Sequence, residues 1–126
     1  MDLSQQPPRR WSDTLAGMMW LPRLIDKVRA FQADTLGTYA YPSALDQSFM
    51  RRFQLTPAYI ERLVRDAASD ETIGTAIRAR IQLSDEEVHR VVEQLKATGE
   101  AQYIDGILEG GTVDIKARPE RDTINN

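Results

Sequence analysis

The chain has 126 residues, of which 16 are basic and 19 acidic, and it contains no cysteine. This length fits one domain with its own core, and the formal charge of −3 argues against a protein that coats phosphate or anionic lipid with its whole surface. Local basic patches are left open, whereas disulfides, thiol catalysis and cysteine-ligated metals are excluded.

The N-terminal stretch "MDLSQQPPRR" is polar and carries two prolines. It predicts an extended arm over residues 1–10, which Trp11 anchors to the fold. The acid at position 2 and the lack of an apolar core argue against a signal peptide, and no run approaches the roughly 18 apolar residues of a membrane span. We therefore predict a cytoplasmic protein that does not enter a membrane. A short helical turn is expected after Ser12.

The first long helix is predicted from Pro22 to Ala33. Proline suits the first helical position, and apolar residues recur here at spacings of three and four. Gly37 is expected to end this helix. The apolar stripe consists of Leu21, Leu24, Ile25, Val28 and Phe31.

Two further helices each begin at a hydroxyl-bearing residue. Ser43 is a suitable N-cap for the second helix, and Thr56 followed by Pro57 marks the start of the third. The predicted inward residues are Leu45, Phe49, Met50 and Phe53 in the second helix and Ile60, Leu63, Val64 and Ala67 in the third.

The fourth and fifth helices are also predicted to begin at a hydroxyl-bearing residue. Ser69 begins the fourth, which Gly74 weakens by about 1 kcal/mol relative to alanine. Ser84 and Glu87 form a capping box at the start of the fifth. The predicted inward residues are Ile73, Ala76, Ile77 and Ile81, and then Val88, Val91, Val92 and Leu95.

Beyond Gly99 the helical spacing gives way to alternation, and Gly110-Gly111 favours a β-hairpin. The sequence thus predicts a mainly α fold, with about five helices in one bundle and strands confined to a short C-terminal hairpin. The single helical domain spans residues 11–117, and residues 118–126 form a loose tail.

The first helix carries a group of charges that could bind a ligand. Arg23 and Arg29 each lie three residues from Asp26, close enough for ion pairs. A solvated, charged helix face explains this pattern, because surface pairs contribute little to stability. The alternative is an anion clamp in which Asp26 holds both guanidinium groups in fixed directions.

Asp46 forms a second candidate group with Tyr39 and Tyr41. At about 100° per residue, its side chain falls on the apolar side of its helix. A first-turn acid is stabilised by free N–H groups and the helix dipole, which predicts a loss of about 0.5–1 kcal/mol for Asp46→Asn. The alternative is a recess lined by the two tyrosines, with Asp46 at its floor.

Other polar residues have simpler explanations. The single histidine, His89, is expected to be exposed beside Glu93, and neither a metal site nor a cofactor is predicted. The serines are better explained as helix caps than as nucleophiles, so no catalytic residue is assigned. Arg80 falls on an apolar stripe and therefore either extends to solvent or pairs with an acid across the core.

These residues support three functions. The first is a helical module that binds a small molecule or a protein, using the tyrosine–Asp46 junction and the Arg23–Arg29 face as one recess. The second is a small hydrolase or transferase with Asp46 as general base. The third is a winged-helix DNA-binding protein, which the acids of residues 85–87 oppose because they begin the recognition helix. Binding of nucleic acid is accordingly not expected, and a homodimer is left open.

The stretches "LPRLIDKVRA", "TLGTYAY" and "LDQSFM" are similar to a bacterial family, domain of unknown function 5069. The resemblance rests mainly on the first 55 or so residues, which also include "QQPPRRW". It implies a compact, mostly helical bacterial domain, and it implies no activity. Ala40 departs from the family pattern, in which a more polar residue is expected between the two tyrosines.

Overall fold

A computed structural model describes residues 1–67 and 69–97. Its elements are β1 (Thr14–Leu15), β2 (Met18–Met19), α1 (Leu21–Gln32), α2 (Ala44–Arg52), α3 (Pro57–Asp66), α4 (Asp70–Ile81) and α5 (Asp85–Ala97). In this part of the chain the mainly helical prediction is confirmed. None of these helices has the length and apolar character needed to cross a membrane. The predicted C-terminal hairpin and tail lie outside the described residues.

The two strands form an antiparallel hairpin, with Leu15 opposite Met18. The expected helical turn at this position is wrong, as is the prediction that strands occur only near the C-terminus. Ala16 and Gly17, which connect the strands, have φ angles of 54° and 79°. A two-residue loop with both φ angles positive matches the twist of an antiparallel hairpin. Alanine is uncommon in this conformation, so the sequence does not indicate a turn here.

Helix α1 lies at the centre of the fold, where it contacts β1 and α3. Every residue from Leu21 to Val28 is buried. The charged residues Arg23, Asp26 and Lys27 are among them, so the predicted solvated face is in fact covered. Phe31, predicted to face inward, is 45% exposed. The simple amphipathic helix predicted here is therefore wrong.

The other helix starts are confirmed. The side-chain oxygens of Thr56 and Ser69 accept hydrogen bonds from backbone N–H groups three residues on. Ser43 and Ser84 each form a reciprocal capping box with the acid three residues later. Such caps contribute about 1 kcal/mol each, and they satisfy N–H groups that the helix itself leaves open.

The inward residues predicted for α2 to α5 are all buried or partly buried. The core that they form with the hairpin and α1 contains Met18, Met19, Trp20, Leu21, Leu24, Ile25, Val28, Phe49, Met50, Phe53, Leu55, Ile60, Val64, Ile73, Ile77, Val88, Val92 and Leu95. The rings of Phe49 and Phe53 lie 5.1 Å apart on α2. Periodicity therefore identified the packing faces of four helices correctly.

The N-terminal arm lies against the helices. Leu3 is 4% exposed, and its N–H donates to the Thr35 carbonyl at 2.9 Å. Pro8 is buried as well, whereas Trp11, the predicted anchor, is only partly buried. The arm is thus held along its length by contacts that begin well before Trp11.

Gly37 permits a close approach of the arm. Its φ angle is +62°, and a Cβ atom at this position would lie 3.1 Å from the Ser4 Cα atom. Glycine is therefore required both by the backbone conformation and by the neighbouring chain. The predicted role of Gly37 as the end of the first helix is wrong, because α1 ends at Gln32.

Gly74 lies where α4 packs on β1. A Cβ atom there would be 3.2 Å from both Leu15 Cγ and Ala16 Cβ. Helix propensity alone predicts that Gly74→Ala raises the free energy of unfolding by about 1 kcal/mol. We expect this variant not to gain that stability, because the Leu15 and Ala16 atoms must move to admit the new Cβ atom. Thr75→Ala, at the next and exposed position, should gain a few tenths of a kcal/mol. Urea unfolding of both variants tests this, and a full gain for Gly74→Ala would contradict it.

Candidate functional site

Charged side chains from the arm, α1, α2 and α4 converge around α1, and we call this group the α1 charge cluster. Its members are Arg9, Arg23, Asp26, Lys27, Arg29, Asp46 and Asp70. Four of them, two cations and two carboxylates, are at most 1% exposed. The structure thus brings Arg23, Asp26, Arg29 and Asp46 into one region, although their bonds differ from those predicted.

Asp46 is held by three donors. Its Oδ1 atom accepts a hydrogen bond from Trp20 Nε1 at 2.8 Å, and its Oδ2 atom lies 2.7 Å from Lys27 Nζ. The Oδ2 atom also accepts from the Ser43 backbone N–H at 2.9 Å. Asp46 therefore caps α2, as the first sequence interpretation predicts, and it is also buried. The tyrosine-lined recess of the second interpretation stays a prediction.

Asp26 binds the N-terminal arm. Its Oδ2 atom accepts from the Arg9 backbone N–H at 2.8 Å and from Arg9 Nε at 3.1 Å, and its Oδ1 atom accepts from Nη2 at 3.0 Å. Arg9 Nη1 also contacts Asp70 at 2.7 Å, and Arg29 contacts the other Asp70 oxygen at 2.7 Å. These bonds join three elements, so the predicted anion clamp within one helix does not describe them.

Arg23 lies between two aromatic rings. Its guanidinium carbon is 5.4 Å from the Trp20 ring centroid and 5.9 Å from that of Tyr39. Its Nη1 atom donates to the Arg9 carbonyl at 3.2 Å. Ring faces attract a cation, and the attraction is stronger where water is excluded. The guanidinium group is consequently held in one position beneath the arm and beside Tyr39.

The two tyrosines diverge from each other. Tyr39 contacts Arg23, whereas the Tyr41 hydroxyl donates to Glu61 Oε2 at 2.8 Å and its ring lies 5.1 Å from that of Phe31. Burial raises the pKa of Tyr41, and the hydrogen bond to Glu61 and the nearby carboxylate charges raise it further. Tyr41 therefore remains a neutral donor at physiological pH. Both tyrosines are partly exposed and lie at the outer side of the cluster.

Burial and existing bonds limit the chemistry that is open to these charged groups. Asp46 is 0% exposed, so no carboxylate oxygen is open to a substrate proton. Arg23 is likewise buried, at 1% exposure, and aromatic contacts and a carbonyl hold the orientation of its guanidinium group. Within residues 1–67 and 69–97, no three metal-ligating side chains converge, and His89 is exposed.

Sequence reasoning missed Arg9, Trp20 and Asp70 as members of this region. One signal was available for Asp46: a carboxylate on an apolar helix face needs a buried donor. Trp20 and Lys27 could have been candidates for that donor. Nothing in the local pattern indicated that Arg9 would reach Asp26 and Asp70, because the three residues are far apart in the chain.

The bond between the arm and α4 should depend on pH. Burial tends to raise the pKa of Asp70, but the hydrogen bonds and charges of Arg9 and Arg29 outweigh it and lower the pKa below 3.8. A lowered folded-state pKa stabilises the protein above the unfolded value, and that stability is lost as pH falls through the folded value. We therefore expect wild type to exceed Asp70→Asn in stability at pH 7 and the difference to shrink below about pH 4. Denaturant unfolding across this range measures it, and a constant difference would contradict the assignment.

The model of the family described as Domain of unknown function (DUF5069) matches residues 5–122. The match extends far beyond the N-terminal residues that carry the sequence resemblance, and it covers nearly the whole chain.

Two curated proteins are similar to part of the chain. The DNA translocase FtsK 2 of Ralstonia nicotianae (strain ATCC BAA-1114 / GMI1000) is 57% identical over 44 residues, which are 32% of this chain and 6% of that protein. The protein of the same name from Neisseria meningitidis serogroup A is also 57% identical over 44 residues, which are 32% of this chain and 4% of that protein. The chain thus spans less than a tenth of the length of either relative.

Proposed function

Since this chain belongs to the family described as domain of unknown function 5069, whose description assigns no activity, we propose a function from its charge cluster. We propose that it is a small helical binding module and that its ligand is a small anion, a carboxylate or a phosphate. Arg23 is 1% exposed, so the ligand would reach it by displacing the partly exposed Tyr39 ring beside it, and the rest of the cluster would hold Arg23 in place.

The observation that carries this proposal is the burial of four charged side chains at 0–1% exposure in one network. A buried ion pair is a weak source of stability, because desolvation offsets much of the Coulomb attraction. Apolar side chains of similar volume would often stabilise a helical core as well or better. Charges retained at such a cost are typical of sites whose geometry matters for recognition.

The positively charged side chains of the cluster favour an anion as the ligand. Its named members comprise four cations, Arg9, Arg23, Lys27 and Arg29, and three carboxylates, Asp26, Asp46 and Asp70. Arginine presents planar donors that match carboxylate and phosphate oxygens in pairs. Tyr39 is partly exposed, and its ring centroid lies 5.9 Å from the guanidinium carbon of Arg23.

Thermal-shift and calorimetric titrations with inorganic phosphate, citrate and acetate test this function. At about 100 times its dissociation constant, a ligand stabilises the fold by about 2.7 kcal/mol, which corresponds to a shift of several degrees in Tm. Arg23→Met should abolish the shift, whereas Arg90→Met, at an exposed position of α5, should preserve it. Equal shifts in both variants, or none in wild type with any of the three anions, would contradict the proposal.

Catalysis by Asp46 receives less support. Its carboxylate is engaged by Trp20, Lys27 and the Ser43 N–H, and a general base must reach the substrate proton directly or through one water molecule. The geometry therefore favours the binding module over the hydrolase or transferase alternative.

A second candidate function, DNA binding, is favoured by one observation. The two relatives that share 57% identity over 44 residues are both DNA translocases. Against a winged-helix mode of binding, α5 begins with Asp85, Glu86 and Glu87, all exposed, and this negative end would meet phosphates. DNA binding is therefore proposed through another surface, and its salt dependence is the test.

A further inference from the structure

Arginines crowd the corner at which α2 is followed by α3. We call this surface the α2–α3 corner, and it consists of Arg51, Arg52, Tyr59, Arg62 and Arg80. We propose that the corner binds the phosphate backbone of duplex DNA without regard to sequence. The proposal rests on the second candidate function and assigns a surface to it.

The chain brings these residues together. Helix α2 ends at Arg52 and α3 begins at Pro57, and the Leu55 N–H donates to the Met50 carbonyl at 2.7 Å in the tight connection between them. Only residues 53–56 thus separate the last turn of α2 from the first turn of α3, which contains Tyr59.

Helix α4 contributes to the same surface. The guanidinium carbon of Arg80 lies 4.0 Å from the Tyr59 ring centroid. Arg80 is exposed, so the prediction that it either extends to solvent or pairs across the core is resolved in favour of solvent. Arg62 follows Tyr59 by three residues and therefore lies on the same side of α3, one turn further along. Arg80 thus stacks on Tyr59, Arg62 lies one turn along α3 on the same side, and Arg51 and Arg52 end the preceding helix.

The carboxylates of α2 and α3 do not neutralise this corner. Asp46 is buried against Lys27, Glu61 accepts from Tyr41, and Asp66 pairs with Arg65 at 3.1 Å. Within residues 1–67 and 69–97, no carboxylate forms an ion pair with any of the four corner arginines. The four corner arginines therefore carry positive charge without a paired carboxylate in this part of the chain, although the whole chain has a formal charge of −3.

Helix dipoles account for part of this pattern. Arg51 and Arg52 lie in the last turn of α2 and Arg80 in the last turn of α4, where cations are favourable. Arg62 lies inside α3, so the dipole does not explain it. Duplex DNA carries one negative charge per roughly 1.7 Å of its axis, and an array of spaced arginines matches such a partner better than it matches a single small anion. The stacking on Tyr59 additionally fixes the direction of the Arg80 guanidinium group.

The experiment uses the full chain and a fluorescent duplex of about 20 base pairs, with anisotropy measured between about 20 and 200 mM KCl. Wild type should bind with an affinity that falls as salt rises. Arg51→Gln, Arg62→Gln and Arg80→Gln should each reduce the slope of log affinity against log salt by about 1. Arg90→Gln removes an exposed arginine from α5 and should leave the slope unchanged.

The outcomes separate the surface from the function. Binding by wild type with unchanged slopes in the three corner variants would overturn the corner as the surface while DNA binding stands. No salt-dependent binding even at the lowest salt would overturn both. Competition by poly-L-glutamate as strong as that by duplex DNA, at equal charge concentration, would identify an acidic protein as the partner and overturn the proposal of DNA.

Discussion

Asp46→Asn is expected to lower the free energy of unfolding by about 3–5 kcal/mol. Both side chains of the Lys27–Asp46 pair are 0% exposed and 2.7 Å apart, so removing one charge leaves the other in a medium that solvates it poorly. Capping alone would cost only about 0.5–1 kcal/mol, the value that the sequence predicts. Urea unfolding at pH 7 distinguishes these two losses, provided that the dependence of the unfolding free energy on urea concentration is the same in wild type and variant.

A double-mutant cycle provides the control. Lys27→Met should also be strongly destabilising, because the Asp46 carboxylate then stays buried without its ammonium partner. The double variant with Lys27→Met and Asp46→Asn should be more stable than the sum of the two single losses predicts, by at least about 1 kcal/mol. Additive losses would show that the two charges are not coupled and would contradict the pair as the reason for the effect.

Arg9→Ala should cost about 2–3 kcal/mol, far more than is typical of a residue near a chain end. The reason is an asymmetry in the pair that it forms with Asp26. The Asp26 side chain is 2% exposed, against 37% for Arg9, so the substitution leaves a buried carboxylate without its partner. Denaturant unfolding measures the loss, and faster proteolysis between residues 1 and 10 should accompany it as the arm is released.

Arg10→Ala is the matched control for this variant. Arg10 is the next residue and is exposed, so its replacement should change stability by no more than about 0.5 kcal/mol. Equal effects of the two substitutions would indicate a general role of positive charge in the arm. That result would contradict a specific stabilising bond between Arg9 and Asp26.

Helix boundaries were predictable because their signals are local. Ser43, Thr56, Ser69 and Ser84 each cap the N–H group three residues away, and that geometry follows from neighbouring residues alone. The inward faces of α2 to α5 were predictable for a similar reason, since helical periodicity places apolar residues on one side whatever they pack against.

The β-hairpin and helix α1 were not predictable in the same way. The hairpin depends on Ala16 in a left-handed conformation with a φ angle of 54°, which local propensity disfavours and packing imposes. In α1, the polar spacing of Arg23, Asp26 and Lys27 indicated a solvated face. A face is solvated only if nothing covers it, and here Arg9 of the arm binds Arg23 and Asp26 while Asp46 of α2 binds Lys27.

The candidate site shows the same division. The sequence by itself determined that Asp46 begins a helix on its apolar side and that Arg23, Asp26 and Arg29 lie on one helix, since both follow from spacing along a single element. Only the tertiary structure decided their partners: Asp46 with Trp20 and Lys27, Asp26 with Arg9, and Arg29 with Asp70. Each of these bonds joins residues at least 17 positions apart along the chain. Such pairings depend on how whole elements pack. Burial strengthens a charge pair and makes an unpaired charge costly. No local sequence pattern shows which distant group the fold will bring within reach.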